Sequence, residues 1–316
     1  MKKINTIFFG STTDSVIILE TLNQLSKVNL SIGCIVTQPP RPIGRKQLVT
    51  QTPVEVWAQT HNISVLSFAS NSEKPWLYED ETNVINALSS IKPDLIISAS
   101  YGQKIPWETI SNARFGGLNV HPSILPRWRG ADPVPWAILS GDAQIGVTVV
   151  RLSEKFDDGK ILAQHKIPLT VHDTSDPLRT KLFSIGATLL SDLLPKYLQG
   201  KVKEIPQHDS DTPRAKKFTR ADGFESWETL REAMHTGTDA ERIERKYRAF
   251  TPWPGIWSKL TNLQNNKVTI QEEKRIKILA LHLDNEKLVI DQVQLEGKNP
   301  VSWKEFSNAY IQQETS

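Results

Sequence analysis

Through its first 200 residues the chain alternates short apolar runs with stretches of helical period, and few folds accept that pattern. The apolar runs are Ile4–Phe9, Leu30–Thr37, Val65–Leu66, Asp94–Ser98, Leu118–His121 and Gly146–Leu152; the helical periods include Ser15–Leu25, Pro53–His61 and Asn83–Ile91. Such units wind into an α/β domain around a mostly parallel sheet. Thr52-Pro53 supplies a helix N-cap followed by proline at the first helical position, and Ser175-Asp176-Pro177 predicts a long helix up to Gly200 in the same way. Along it Leu178, Leu182, Ile185, Leu189, Leu190 and Leu193 form one apolar face, expected to pack on the sheet.

After Gly200 the texture changes. Lys201–Arg214 is rich in charge and poor in apolar residues, as a surface connection is. Beyond it come a helical stretch, Thr238–Phe250, and the β-rich runs Ile256–Leu260, Val268–Ile270, Arg275–Leu283 and Lys287–Leu295. Short strands so spaced predict a small β-barrel or antiparallel sheet. The expected organisation is residues 1–205, a linker at 206–212 and a smaller domain at 213–316. A length of 316 residues suits two domains at roughly 150 residues each.

Several function classes fall away. No uncharged apolar stretch approaches the roughly 20 residues that cross a bilayer, so no membrane partner is expected. The run after Met1-Lys2-Lys3 is too short for a signal segment. One cysteine, Cys34, excludes an internal disulfide and a cysteine zinc cluster, which predicts a reducing, cytoplasmic setting. Cys34 sits in an apolar run and is expected to be a buried structural thiol. The first βα turn, Phe9-Gly10-Ser11-Thr12-Thr13, lacks the glycines a dinucleotide needs, and no P-loop, nucleophile elbow or zinc-protease motif occurs. No metal is expected, because the seven histidines lack ligand spacing. The net charge is +3, and neither side of residue 210 carries a large excess, so a nucleic-acid partner would be met by local clusters.

The informative stretch is 117–159. In Leu118-Asn119-Val120-His121 strand alternation turns Asn119 and His121 to one side, and Pro122 ends the strand. An amide and an imidazole thus emerge together at a strand's carboxyl end, where open α/β sheets place their ligands. Taken alone, the pair is also what a polar strand end capping a turn looks like.

The run Asn119-x-His121-x-Ser123-Ile124-Leu125-Pro126-x-x-Arg129-Gly130, with Gly146-Val147-Thr148 and Asp157-x-Gly159, resembles the signature of the folate-dependent formyltransferases. Thr37–Arg45, Arg248–Gly255 and Leu288–Gly297 bring the likeness closest to the methionyl-tRNA branch. The resemblance implies a Rossmann-like catalytic domain and a C-terminal OB-like β-barrel. It implies 10-formyltetrahydrofolate as formyl donor and initiator methionyl-tRNA as acceptor, with sugar N-formylation or folate hydrolysis as alternatives within the superfamily. A silent RNA-binding protein on the same scaffold is the alternative outside it. A monomer is expected.

The resemblance also assigns residues. Asn119 and His121 would donate to the formyl oxygen as it becomes negative, with Asp157 holding His121 and aiding proton transfer. Asp157 keeps the Asp-x-Gly spacing; Asp158 is the runner-up. Ser123, Ile124, Leu125 and Pro126 would line the folate site, flanked by Tyr101 and Gly102. Arg41, Arg45 and Lys46, on a loop without acidic residues, would meet the tRNA. So would Arg242, Arg245 and Lys246, although Glu241 and Glu244 between them also suit a plain salt-bridged face. Phe250, Trp253 and Trp257 are expected in the core of the second domain. One departure stands out: the family's proline and apolar anchor after the first strand are replaced in Gly10-Ser11-Thr12-Thr13-Asp14.

Overall fold

The structure, a computed structural model, describes residues 3–44, 46–208, 213–260, 263–265, 268–270 and 273–311. The chain forms two compact units. One comprises residues 1–133, 144–168 and 178–216; the other comprises 134–143, 169–177 and 217–316.

The first unit runs β1 (Ile4–Phe9), α1 (Thr13–Asn23), β2 (Leu30–Thr37), a hairpin of β3 (Arg41–Ile43) and β4 (Leu48–Thr50), α2 (Pro53–Thr60), β5 (Val65–Ser67), α3 (Glu81–Ile91), β6 (Leu95–Ala99), α4 (Trp107–Asn112), β7 (Gly117–His121) and β8 (Arg129–Gly130). It continues with β9 (Gln144–Arg151), β10 (Ile161–Pro168), α6 (Ser175–Leu198) and β11 (Arg214–Ala215), whereas α5 (Pro133–Leu139), between β8 and β9 in sequence, belongs to the second unit save for Pro133. Seven strands form one sheet in the order β10-β9-β7-β6-β1-β2-β5. The pairs from β5 through β7 are parallel, and β9 and β10 close the other edge antiparallel.

Period-two alternation sorts the β1 side chains. Phe8 faces a core with Ile18, Leu19, Trp57, Leu118, Val120 and Phe183, whereas Ile7 and Phe9 face a second core with Cys34, Val84, Leu88 and Ile96. Helices α1, α2 and α6 therefore cover one face, and α3 and α4 the other. The apolar face expected of the long helix is present: Leu178, Leu182, Leu190 and Leu193 are buried, and Ile185 and Leu189 pack beside them. Thr52 caps α2 as expected, accepting from Glu55 N at 3.1 Å. Ser175 differs, being the first residue of α6 with its hydroxyl donating to Ala249 O.

The second unit adds α7 (Trp227–His235), α8 (Ala240–Phe250), β12 (Ile256–Leu260), β13 (Leu263–Asn265), β14 (Val268–Ile270), β15 (Lys274–Asp284), β16 (Lys287–Leu295), β17 (Val301–Ser302) and α9 (Trp303–Tyr310). Its antiparallel sheet has the order β12-β15-β16-β17, beside a β13–β14 hairpin. Leu230, Ile243, Ile276, Ile290, Val293 and Phe306 share its core. Phe250 is buried as expected and Trp257 half-buried, but Trp253 is 52% exposed: the turn after α8 carries it outward rather than into the core.

Candidate active site

Strand β7 ends at His121, which pairs with Thr148 of β9; Asn119 lies opposite Ser98 of β6. Their side chains share the face opposite Leu118 and Val120, which are in the core. This is the carboxyl end of the parallel strands. The loop after β9 brings up the third group. Asp157 has φ of 55°, in the left-handed region, and its carboxylate is almost wholly buried. Its Oδ1 accepts from Asn119 Nδ2 at 3.1 Å and lies 3.5 Å from His121 Nδ1, while its Oδ2 accepts from Gly130 N at 3.0 Å. His121 Nε2 lies 2.9 Å from Trp128 O. A carbonyl only accepts, so Nε2 carries the hydrogen.

Two glycines make the arrangement possible. A Cβ on Gly159 would lie 1.9 Å from Arg151 O, and one on Gly130, at φ of 123°, would lie 2.5 Å from Ala215 O. Backbone passes where any side chain would collide. The two neighbouring carboxylates have different partners: Asp158 pairs with Arg129 Nη1 at 2.7 Å, whereas Asp157 joins Asn119 and His121.

The loop after β7 is buttressed from below. Thr148 Oγ1 accepts from Leu125 N at 3.2 Å and donates to Ser123 O at 2.7 Å; Gln164 Nε2 donates to Leu125 O at 2.7 Å. Ser123 is fully buried with its hydroxyl donating to Arg127 O, and Leu125 packs against Val150 and Ile161. Of the four residues expected to line a folate site, only Ile124 and Pro126 present partly exposed side chains; Ser123 and Leu125 hold the loop's shape. Tyr101 is half-buried, with its hydroxyl donating to Gln103 Oε1 at 3.1 Å and lying 2.9 Å from that of Tyr78. Burial pushes both phenols well above their ordinary range, so they stay protonated. Gly102 abuts Gln38 Nε2, where a Cβ would lie at 2.5 Å.

The basic residues fare differently. Arg41 lies on the exposed hairpin, donating to Gln38 Oε1, and Lys46 is at its exposed turn; Arg45 lies outside the described residues. On α8, Arg242 forks onto Glu225 at 2.8 and 2.9 Å, and Lys246 reaches the same carboxylate at 2.6 Å. Burial opposes ionisation of Glu225, but these hydrogen bonds outweigh it and hold its carboxyl below the ordinary range. Arg242 and Lys246 are thus committed within their own unit. Arg245 pairs with Glu241 at 3.4 Å across one exposed helical turn, an arrangement worth only about 0.3–0.5 kcal/mol.

Two groups escaped the sequence. Gln207, inside the expected linker, bonds to both Asp157 O and Gly159 O, and Asp14, in the altered segment after β1 and the second residue of α1, is buried against Arg179 at 2.6 Å. Nothing in local spacing announces the first. The second had a signal, an acid replacing an apolar anchor. Among the described residues no group of three or more metal-ligating side chains occurs, and no helix is long and apolar enough to cross a membrane.

Residues 2–194 match the formyl transferase family, and residues 237–310 match the formyl transferase C-terminal domain. The methionyl-tRNA formyltransferase of Enterococcus faecalis is 32% identical over 96% of this chain and 95% of its own. That of Bacillus mycoides is 33% identical over 95% and 94%. Among solved structures, a 4-N formyltransferase from Francisella tularensis superposes with a TM-score of 0.59 at 16% identity, covering 84% of this chain and 95% of that one. A sugar 3N-formyl transferase solved with dTDP and 5-N-formyl-THF gives 0.57 at 16% identity, covering 95% and 100%. Those two share the fold; the sequence relatives share more, and on a family match spanning residues 2–194 with identity above 30% along nearly its whole length, the chain belongs to the formyl transferase family.

Proposed function

We propose that this chain transfers the formyl group of 10-formyltetrahydrofolate to the amino group of initiator methionyl-tRNA, in the cytoplasm. The observation that carries the reading is likeness along both units to proteins named methionyl-tRNA formyltransferase. The site's chemistry agrees with it. The donor supplies an N10-formyl carbon, to which the acceptor amine bonds as the bond to N10 breaks and one proton passes from the amine to N10.

The chain's residues serve that exchange in three ways. The carbonyl oxygen becomes negative as the amine adds, and Asn119 meets it with an N–H, one hydrogen of its amide being used on Asp157. His121 is anchored through Nε2, whose hydrogen goes to Trp128 O; Nδ1, 3.5 Å from Asp157 Oδ1, has a hydrogen to give only when the ring is the imidazolium, and in that form it is the second donor to the oxygen. Asp157 orients both donors and is the nearby base through which the amine proton passes. Partly exposed Ile124, Pro126 and Tyr101 suit the flat rings of a folate. Arg41 and Lys46, with Arg45 between them in sequence, are the groups for tRNA phosphates, joined by Arg245; Arg242 and Lys246 would first have to leave Glu225.

The test is transfer of labelled formyl from 10-formyltetrahydrofolate, with initiator methionyl-tRNA, free methionine, an amino-sugar nucleotide and water as parallel acceptors. Label on the charged tRNA alone is the expected result. Label on the sugar or in free formate would replace the acceptor while keeping the chemical centre. Binding of tRNA without turnover of any acceptor would leave a silent RNA-binding protein.

A further inference from the structure

Residues 204–207 lie along the loop that carries Asp157 and are fastened at three points to it and to the strand ends that flank it. Glu204 accepts from Arg151 at 2.6 Å and from Lys160 at 3.1 Å. Ile205 exchanges both backbone hydrogen bonds with Ile161, at 2.8 and 2.9 Å. Gln207 completes the strap: its Nε2 donates to Asp157 O at 2.9 Å and to Gly159 O at 2.7 Å, and its Oε1 accepts from Arg129 Nε at 3.0 Å.

That pattern uses what only a primary amide of this length offers. Both hydrogens of one nitrogen go to two carbonyls flanking the turn, while the oxygen takes a guanidinium hydrogen. Glutamate has no hydrogen to give, and asparagine is one methylene shorter. The backbone so gripped is unfavourable by itself, since Asp157 is a non-glycine residue at φ of 55°. Such a residue persists where its surroundings over-determine it. The Asp157 carboxylate, aimed by that backbone, serves Asn119, Gly130 and His121.

We propose that Gln207 is a positioning residue for formyl transfer, holding the Asp157 main chain in its left-handed turn so that the carboxylate meets Asn119 and His121. It acts through Asp157, so the inference rests on the reading of Asp157 as the working carboxylate. Its effect belongs in kcat rather than in either KM.

The experiment measures kcat and both KM values for the full chain carrying Gln207→Ala, Gln207→Glu, Asp157→Asn, and Gln207→Ala with Asp157→Asn, using single-turnover rates where activity is low. Each Gln207 variant is expected to lower kcat about 10- to 100-fold with little change in KM, the cost of a small misplacement of a reacting group. Adding Gln207→Ala to Asp157→Asn should lower kcat little further, because both act through one group. Gln207→Glu keeps the acceptor for Arg129, so wild-type kcat in that variant would overturn the proposal. Effects that multiply in the double variant would overturn it as well. Wild-type kcat in Asp157→Asn would sink the reading of Asp157, and the proposal with it. An inactive Asp157→Asn beside an unimpaired Gln207→Ala would sink the proposal alone. Circular dichroism identifies a variant that fails to fold; if Gln207→Ala does so, Gln207→Glu decides.

Discussion

His121 meets Asp157 through Nδ1, 3.5 Å from Oδ1, while its Nε2 is committed to the Trp128 carbonyl at 2.9 Å. One carboxylate therefore governs the direction of the imidazole and, at 3.1 Å, of the Asn119 amide. Asn119→Ala removes an N–H donor to the developing oxyanion and should lower kcat by about 10²–10³. His121→Ala should cost a similar factor. The two losses should fall short of multiplying, since each frees Asp157 to shift. Steady-state kinetics on both single variants and the pair would show it; fully multiplicative effects would sink the shared-carboxylate account.

How much of this was legible beforehand depended on where each residue's partner lies. Strands Ile4–Phe9 and Leu30–Thr37 match their apolar runs residue for residue, because both faces of a parallel strand are buried. β10 escaped: its middle, Gln164-His165-Lys166, is polar, as an antiparallel edge strand tolerates. β3 and β4 escaped because three-residue strands around Pro42 and a basic turn look like loop. α9 did carry a signal, the Ser302 and Glu305 capping box, with Ser302 N donating to Glu305 Oε2 at 2.9 Å. At the site, Asn119 and His121 follow from alternation within one strand. Gln207 does not, since its tie to Asp157 spans 50 residues of sequence and depends on the pairing of Ile205 with Ile161.

Glu225 gives a pH prediction. Its folded carboxyl ionises more readily than an unfolded glutamate, whose pKa is about 4.3, because Arg242 and Lys246 more than offset the burial that opposes it. A depressed folded value contributes stability that is present above the unfolded pKa and lost as pH falls through the folded one. The second unit should thus weaken on acidification below about pH 4.3. Glu225→Gln should cost about 2–4 kcal/mol at neutral pH and progressively less in acid. Urea midpoints for both proteins across pH would read this out; a pH-independent difference would remove the ion pairs from the account.

Cys34 is 2% exposed, and burial pushes its thiol up to about 11. At neutral pH it stays protonated, and no reagent reaches it in the folded unit. Its reaction with an aromatic disulfide should follow global unfolding, accelerating only as urea populates the unfolded chain. Cys34→Ala should leave kcat unchanged while lowering Tm, as deletion of a buried atom does. Fast labelling of the native protein with parallel loss of activity would make the thiol functional after all.

The hairpin separates tRNA binding from stability. All six residues of β3 and β4 are exposed, with Ile43 at 59% and Val49 at 72%, so little packing depends on their side chains. Between Gln38 and Thr50 there is no acidic residue to neutralise Arg41 and Lys46. Phosphates held by such cations release counterions, and each lost contact should flatten the salt dependence of binding by about 0.7–0.9 in log K against log salt. Arg41→Ala with Lys46→Ala should therefore raise the KM for methionyl-tRNA, most at low salt, and reduce that slope by about 1.4–1.8 if each cation meets one phosphate. Tm, the KM for folate and transfer to a small amine acceptor should not move, because the substituted side chains are distant in role from Asn119, His121 and Asp157. An unchanged salt slope would take these two residues out of the tRNA contact. A fall in transfer to the small acceptor would instead mean that the hairpin shapes the chemical centre, through Gln38, which accepts from Arg41 and abuts Gly102.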